Sequence, residues 1–343
     1  MDNGEIMKKK KIHVGVIGLG VGEQHLKTYL KLAECRVEAI CDLSQEKLDR
    51  CKTDYPGIDL TTNAEDLLSR SDIDLVSIAS FDDVHADQVI RALKSGKHVF
   101  CEKPLCQTTD QALQIKQMLE YRNRELKLGC NLILREAPLY QWLKQKIREG
   151  FFGEIYAFEG EYLYGRIHKI TDGWRNSVPD YSVMEGGGIH LLDLMLWLTG
   201  DRPVSVYTSG NKICTRNTKF RYTDYATSIM NFNSGMIGRI TANFGCVHRH
   251  HHVMRFYGTK ATFLYDDAGP RIHTSRNPEV PPEKIKINPL PVTKGDLIPA
   301  FVSAILTKKD ITDETQIIFD GISICAASDL SLKTQKPELI KYL

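Results

Sequence analysis

Over the first 130 positions, short apolar runs alternate with stretches whose apolar residues recur every three to four positions. The runs at 12–18, 36–42, 58–61, 73–80, 98–102 and 126–131 predict strands. The patterns at 23–33, 44–53, 64–70, 84–95 and 108–123 predict helices between them. Alternation of this kind predicts a parallel sheet with helices on both faces. A further helix is predicted from Ala137 to about Glu149, opening near Pro138. After Gly153 the pattern changes. Strands are predicted at 154–164, 204–209, 223–232, 236–244, 252–257 and 261–265, with turn signals at Asn233-Ser234-Gly235 and Gly258-Thr259-Lys260. The stretch Asp267–Thr293 reads as a long polar loop, and helices return at 296–307 and 314–332. The expected division is an α/β domain over 1–130 and an α+β domain over 131–343 with an open, largely antiparallel sheet.

The first apolar run leads into Gly18-Leu19-Gly20-Val21-Gly22, and Asp42 closes the second. Glycines let a backbone turn sharply and approach a pyrophosphate, and the helix behind them offers free N–H groups to that anion. An acidic side chain about twenty residues on can bind a ribose hydroxyl, which favours NAD over NADP. The third glycine falls at 22, where the usual G-x-G-x-x-G spacing would place it at 23. Strand, turn, helix, second strand and terminal acid in that order predict a dinucleotide-binding Rossmann domain. Its ligand-binding edge gathers Gly18–Gly22, Asp42, Ser80–His85 and Glu102–Pro104.

Composition narrows the partners. The chain is 42% hydrophobic and 26% charged, with a formal net charge of +2. No basic field argues for nucleic acid, and the cluster Lys8–Lys11 reads as a solvated lead-in to the first strand. No apolar run is long enough to span a bilayer, since Ile189–Leu198 is short and contains Asp193. No export signal is read at the start of the chain. Nine scattered cysteines without a C-x-x-C pair fit reduced thiols in a cytoplasm.

Candidate chemistry lies at three places. Lys103, in Cys101-Glu102-Lys103-Pro104, ends a strand at the cofactor edge and could hydrogen-bond a substrate oxygen. In Glu185-Gly186-Gly187-Gly188-Ile189-His190-Leu191-Leu192-Asp193, three glycines precede a helix apolar almost all round, so it is expected to be buried. His190 and Asp193 share a face of it. They read either as an acid/base histidine with a polar neighbour or as a structural pair. His248-Arg249-His250-His251-His252 would place three imidazoles on one strand face. No ligand set is evident around them and no metal is assigned; an exposed strand end or an oligomer contact is the expected reading.

The ordered set of glycine turn, Asp42, Ser80-Phe81-Asp82-Asp83-Val84-His85, Glu102-Lys103-Pro104, Trp174-Arg175 and Gly187-Gly188-Ile189-His190-Leu191-Leu192-Asp193 resembles the glucose–fructose oxidoreductase, inositol dehydrogenase and MocA family. The resemblance implies NAD(P)-dependent oxidation or reduction of a hydroxyl or keto carbon on a sugar, sugar nucleotide or cyclitol. It places Lys103 and His190 at the catalytic positions. Gly18, Leu19, Gly20, Val21, Gly22, Asp42, Ser80, His85, Glu102 and Lys103 fall to the cofactor, and Asn131, Tyr162, Trp174, Arg175 and Asp193 to the substrate. Gly186 departs from the family, which often carries Asp there. The resemblance also implies a homodimer or homotetramer joined through the second domain's sheet, with Ile229, Phe232, Ile240 and Phe244 expected as its apolar material. Two alternatives stand beside the dehydrogenase. One is a non-catalytic regulator that senses the dinucleotide. The other is an enzyme that retains its cofactor through turnover, either a sugar–sugar oxidoreductase or an NAD-dependent glycosidase.

Overall fold

The computed structural model describes residues 11–122 and 125–343. Lys8–Lys10 of the basic cluster and residue 123 of the expected fifth helix lie outside the described residues. The chain forms two compact units. The first comprises the residues up to Leu105, Gln114–Asn131 and Thr293–Thr312; the second comprises Cys106–Leu113, Leu132–Val292 and Asp313–Leu343. The single cut between 130 and 131 differs from this division at Cys106–Leu113, at Asn131 and at Thr293–Thr312.

The first unit is built on β1 (Ile12–Ile17), α1 (Gly22–Lys31), β2 (Cys35–Cys41), α2 (Gln45–Asp54), β3 (Asp59–Thr61), α3 (Ala64–Leu68), β4 (Leu75–Ile78), α4 (His85–Lys94), β5 (His98–Cys101), α5 (Thr109–Tyr121) and β6 (Leu128–Cys130). Its six strands are all parallel, in the order β3-β2-β1-β4-β5-β6. Strand order reverses between β1 and β4, so the crevice at their carboxyl ends is the switch point where such sheets bind ligands. All four residues of β4 are buried, as expected of a strand covered on both faces. The returning segment carries a helix, Ile298–Leu306, whose Phe301 ring lies 5.5 Å from that of Phe100. Gly129 makes this contact possible, because a Cβ there would sit 3.0 Å from both rings.

The second unit continues with α6 (Pro138–Arg148), β7 (Ile155–Leu163), α7 (His168–Thr171), α8 (Ile189–Thr199), β8 (Pro203–Asn211), β9 (Tyr225–Phe232), β10 (Ile237–Asn243), β11 (His251–Gly258), β12 (Thr262–Asp266), β13 (Gly269–His273) and β14 (Glu283–Lys284). The chain closes with α9, the returning helix already described, then α10 (Thr312–Thr334) and β15 (Glu338–Leu339). Nine strands form one sheet in the order β14-β13-β12-β11-β7-β10-β9-β8-β15. Only the β7–β10 pair is parallel. The expected long loop at 267–293 thus contains two short edge strands.

Helix α8 covers one face of this sheet. Gly160 permits the approach, since a Cβ there would lie 2.9 Å from Ile240 Cδ1 and 3.0 Å from Leu191 Cβ. Alternation along the strands sends Phe158, Gly160 and Tyr162 towards α8 and leaves Glu159 and Glu161 on the other face. On that open face Arg239 Nη2 lies 3.0 Å from Glu159 and 3.1 Å from Glu161, and Arg255 Nη1 lies 3.5 and 3.4 Å from the same two. Ile229 is exposed there at 45%, but Phe232, Ile240 and Phe244 are buried. Of the four residues expected to supply an apolar contact face, only Ile229 is available. The other three belong to the core, because their positions on β9, on β10 and just after it place them inside.

Candidate active site

The glycine turn at the end of β1 shows three different demands. Gly18 has φ +88°, and a Cβ there would strike the Ala79 carbonyl. Gly22 opens α1 beside β4, where a Cβ would lie 2.9 Å from the Ala79 methyl. Gly20 is the reverse case: nothing lies within 4 Å of where its Cβ would be. The first and third glycines bring turn and helix close to the sheet, and the second leaves space over the backbone. That is a cradle for a pyrophosphate at a helix N-terminus, and it fits a dinucleotide. Close packing on Ala79 explains why the third glycine sits at 22.

Asp42 follows β2 and is 8% exposed. Its carboxylate accepts the Leu19 N–H at 2.6 Å and the Ser44 N–H at 2.8 Å, and Lys47 Nζ lies 3.2 Å away. The acid is therefore fixed to the turn whose ligand it would share. Val21 lies in the same turn and is 40% exposed. Ser80 donates to Gln88 at 2.7 Å. His85 is fully buried, with Nδ1 2.7 Å from the Pro104 carbonyl and Nε2 3.2 Å from the Ser80 carbonyl. Expected as a cofactor ligand, His85 instead ties together the two loops that follow β4 and β5.

Glu102 and Lys103 follow β5, and the Lys103–Pro104 peptide is cis. Behind them lies a network that sequence reasoning missed. Glu102 Oε1 accepts the Asn131 amide N–H at 2.6 Å and lies 3.2 Å from His25 Nε2. His25 is fully buried on α1, with Nδ1 3.0 Å from the Ser77 hydroxyl. Burial pushes the Glu102 carboxyl up, but His25, Asn131 and the Lys103 charge together hold it below its ordinary value. One signal for His25 was present: it lies three residues after Gly22 on the face of α1 that also carries Leu26 and Tyr29.

In the second unit, His190 stands in the first turn of α8 and is 8% exposed. Its ring stacks on Tyr162 at 5.9 Å and meets His252 edge-on at 6.0 Å. His250 and His252 also pack edge-on against Tyr162, at 5.0 and 5.3 Å. The histidine run thus divides. His250 and His252 join His190, whereas His251 faces Tyr265, and His248 lies 3.0 Å from the Asp267 carboxylate. The run is neither an exposed strand end nor one shared face of 248, 250 and 252, because β11 begins only at His251.

Asp193 does not pair with His190. Arg135 grips its carboxylate with Nε at 2.9 Å from Oδ2 and with Nη2 on Oδ1. Both residues are buried, so the pair fixes α8 in the core and Asp193 is not placed as a substrate ligand. The partners are 58 positions apart in the chain, and no local pattern announces them.

The segment before α8, Met184–Gly188, is a π-helical turn. A Cβ at Gly186 would strike the Tyr181 hydroxyl, and one at Gly187 would strike the Tyr162 ring. The departure at Gly186 therefore has a steric reason: Tyr181 fills the space that a side chain would need. Ser182 braces this turn, accepting the Met184 N–H at 3.1 Å and donating to Asp329 at 2.9 Å. Trp174 and Arg175 lie in a short 3₁₀ turn, with the guanidinium carbon 4.4 Å from the indole centroid. Among the described residues no group of three or more His, Cys, Asp or Glu is arranged to hold a metal ion, and no helix is long and apolar enough to cross a membrane.

Residues 12–130 match the family profile described as an oxidoreductase family with an NAD-binding Rossmann fold, and residues 140–264 match the GFO/IDH/MocA C-terminal domain. The oxidoreductase YrbE of Bacillus subtilis, itself uncharacterized, is 25% identical over 76% of this chain and 75% of its own length. The inositol 2-dehydrogenase/D-chiro-inositol 3-dehydrogenase of Shouchella clausii is 29% identical over 55% of this chain and 54% of its own. A levoglucosan dehydrogenase solved with NADH shares the fold with a TM-score of 0.82, at 19% identity, over 97% of this chain and 100% of that one.

The Asp329–Ser182 contact gives a pH prediction. Burial pushes the Asp329 carboxyl up to about 6 in the folded chain. A carboxyl with a raised folded-state pKa binds its proton more tightly folded than unfolded. Its contribution is present below the unfolded value of about 4 and is lost as pH rises to about 6. Thermal melting from pH 4 to 7 should show this loss in the wild type, and Asp329→Asn should abolish it. An unchanged slope in the variant would remove Asp329 as its source.

Proposed function

Because the chain belongs to the glucose–fructose oxidoreductase, inositol dehydrogenase and MocA family of NAD-binding oxidoreductases, we propose that it is an NAD-dependent dehydrogenase of a cyclitol or sugar hydroxyl, with Lys103 and His190 as its catalytic residues. The observation that carries this reading is the setting of His190. It is a buried imidazole at the start of an otherwise apolar helix, stacked on an aromatic ring that two further imidazoles also contact. The Shouchella relative, named for its action on inositols, makes cyclitols the first substrates to try.

NAD, when bound, accepts or returns the hydride. The protein must supply the rest. Removing hydride from a carbinol carbon requires its hydroxyl proton to leave. His190 serves as the base for that proton, and the Lys103 ammonium as a hydrogen-bond donor and counter-charge to a substrate oxygen. Tyr162, Trp174 and Arg175 bind the remaining hydroxyls, through ring faces and the guanidinium fork. Asp42 recognises the free ribose hydroxyl and repels a 2′-phosphate.

The open face of the second unit's sheet supports a homodimer or homotetramer. Ile229 and Ile237 stand exposed at 45% and 50%, beside a cluster of two glutamates and two arginines. Such a patch carries both signs of charge and can meet its own copy about a two-fold axis. Seven of the nine cysteines are buried, as small apolar side chains are, which is compatible with the cytoplasmic setting we propose.

Three measurements test these readings. Titration should give a lower dissociation constant for NADH than for NADPH, and a clear NADPH preference would remove the role of Asp42. Light scattering at micromolar concentration should show a dimer or tetramer; a monomer contradicts the sheet contact. His190→Ala and Lys103→Ala should each keep NAD binding and a cooperative melting transition, yet lose about 10²–10⁴-fold in turnover. Because both act on one proton transfer, the double variant should lose less than the product of the two. A folded, NAD-binding His190→Ala with normal turnover would make the histidine structural. A wild type that binds NAD but turns over no cyclitol, aldose or nucleotide sugar would favour a dinucleotide sensor.

A further inference from the structure

Tyr162 joins the parts of the second unit's site. Its ring stacks on those of His190 and Tyr164, each at 5.9 Å. Beyond Tyr164 the chain makes a tight turn. The Tyr164 N–H donates to the Asn243 carbonyl at 2.8 Å, and Gly165 has φ +58°, where a Cβ would strike the His248 carbonyl. The turn fixes where the next residue, Arg166, leaves the backbone. Its guanidinium carbon lies 5.8 Å from the Tyr164 ring centroid. Arg166 is exposed and forms no ion pair among the described residues. A cation held over one ring of this stack is therefore open to a ligand.

The charge around Tyr162 is one-sided. Burial pushes its phenol up from the ordinary value, and the charges of Arg175 and Arg166 act against that rise. The acids of the neighbouring elements are engaged elsewhere. Glu159 and Glu161 on β7 lie on the opposite face of the sheet with Arg239 and Arg255. Asp193, the acid that the sequence assigned to the substrate, is held by Arg135. Lys103, Arg166, Trp174 and Arg175 carry side chains that only donate hydrogen bonds. A neutral polyol needs acceptors too, because each of its hydroxyls has a proton to give. A carboxylate or phosphate only accepts, and a guanidinium fork meets two of its oxygens at once. We infer that the substrate is an acidic sugar or cyclitol, one carrying a carboxylate or phosphate, and that Arg166 at the end of β7 binds this group while His190 faces the carbinol. Arg175 adds a second positive charge. The inference rests on the dehydrogenase reading above and narrows its substrate class from neutral polyols to their acids.

The test compares matched pairs: D-glucuronate with D-glucose, D-galacturonate with D-galactose, and myo-inositol 1-phosphate with myo-inositol. Turnover is read with NAD, and binding to the NADH-loaded protein by calorimetry. At least one acid should exceed its neutral parent by about ten- to a hundredfold in kcat/KM or in affinity, the range of one charge-assisted hydrogen bond. The excess should shrink as salt is raised. Arg166→Gln should bring that acid to within about twofold of its parent. Arg166→Lys, which keeps the charge without the fork, should fall between. Because Arg166 is exposed, both variants should melt cooperatively and keep the wild-type dissociation constant for NADH. Neutral parents that match or exceed all three acids overturn the inference and leave the dehydrogenase reading standing. A preference for the acid that survives in Arg166→Gln overturns the role of Arg166. A wild type that binds NADH but neither binds nor turns over any of the six compounds overturns the inference and the dehydrogenase reading together.

Discussion

A carboxylate removed from water must find its donors in the protein, and at the ligand edge of the first unit that requirement organises everything around Glu102. Burial alone would drive its carboxyl towards the protonated form. The chain answers with His25 from α1, Asn131 from beyond β6 and the charge of Lys103. These come from different elements, so the charge is held only when helix, strands and loops are all in place. His85 adds a second tie from the Ser80 carbonyl to the Pro104 carbonyl. The loops that would meet a cofactor are thereby tied to one another and to α1. Precision at such a site comes mostly from these supporting contacts.

The second unit meets the same requirement differently. Asp193 lies on a helix with hardly any other polar group, so neutral donors are not at hand. A single guanidinium grips both carboxylate oxygens instead. A pair of that kind, once buried, adds little stability over an apolar replacement. Losing one partner, however, costs about 3–5 kcal/mol, because a lone charge is left behind. The arrangement thus holds α8 in one orientation more than it strengthens the fold. That matters because His190 lies three residues earlier on the same helix, and its contact with Tyr162 depends on how α8 is turned.

What could be read from the sequence follows the range of the interactions involved. The β1–α1–β2 turn was legible because its glycines and Asp42 act within about thirty residues, each for a backbone reason. His190 was legible because an imidazole in an apolar helix stands out wherever the helix lies. The support was not. His25 and Glu102 are brought together only by the parallel strand order, and Arg135 and Asp193 only by the packing of α8. The histidine run misled for a related reason. Alternation is a rule for strands, and β11 starts only at His251, so neither His248 nor His250 is placed by it, and His250 meets His252 through ring packing instead. The apolar residues of β9 and β10 misled similarly, because they were assigned to the open face before it was known which face α8 covers.

Gly186 shows how an apparent loss can be a substitution of another kind. In a chain resembling this family, an acid four residues before the histidine would be expected to help tune it. Here the position cannot carry a side chain without displacing the Tyr181 hydroxyl. The backbone instead takes a π-helical turn, a form found more often at functional sites than in plain helices. Ser182 and Asp329 then secure that turn through hydrogen bonds. Tyr162 on β7 and His252 on β11 pack their rings against His190 from the sheet. Substitutions at Tyr162 or His252 therefore disturb the packing of this imidazole from the sheet side, whereas a side chain at Gly186 acts by displacing Tyr181.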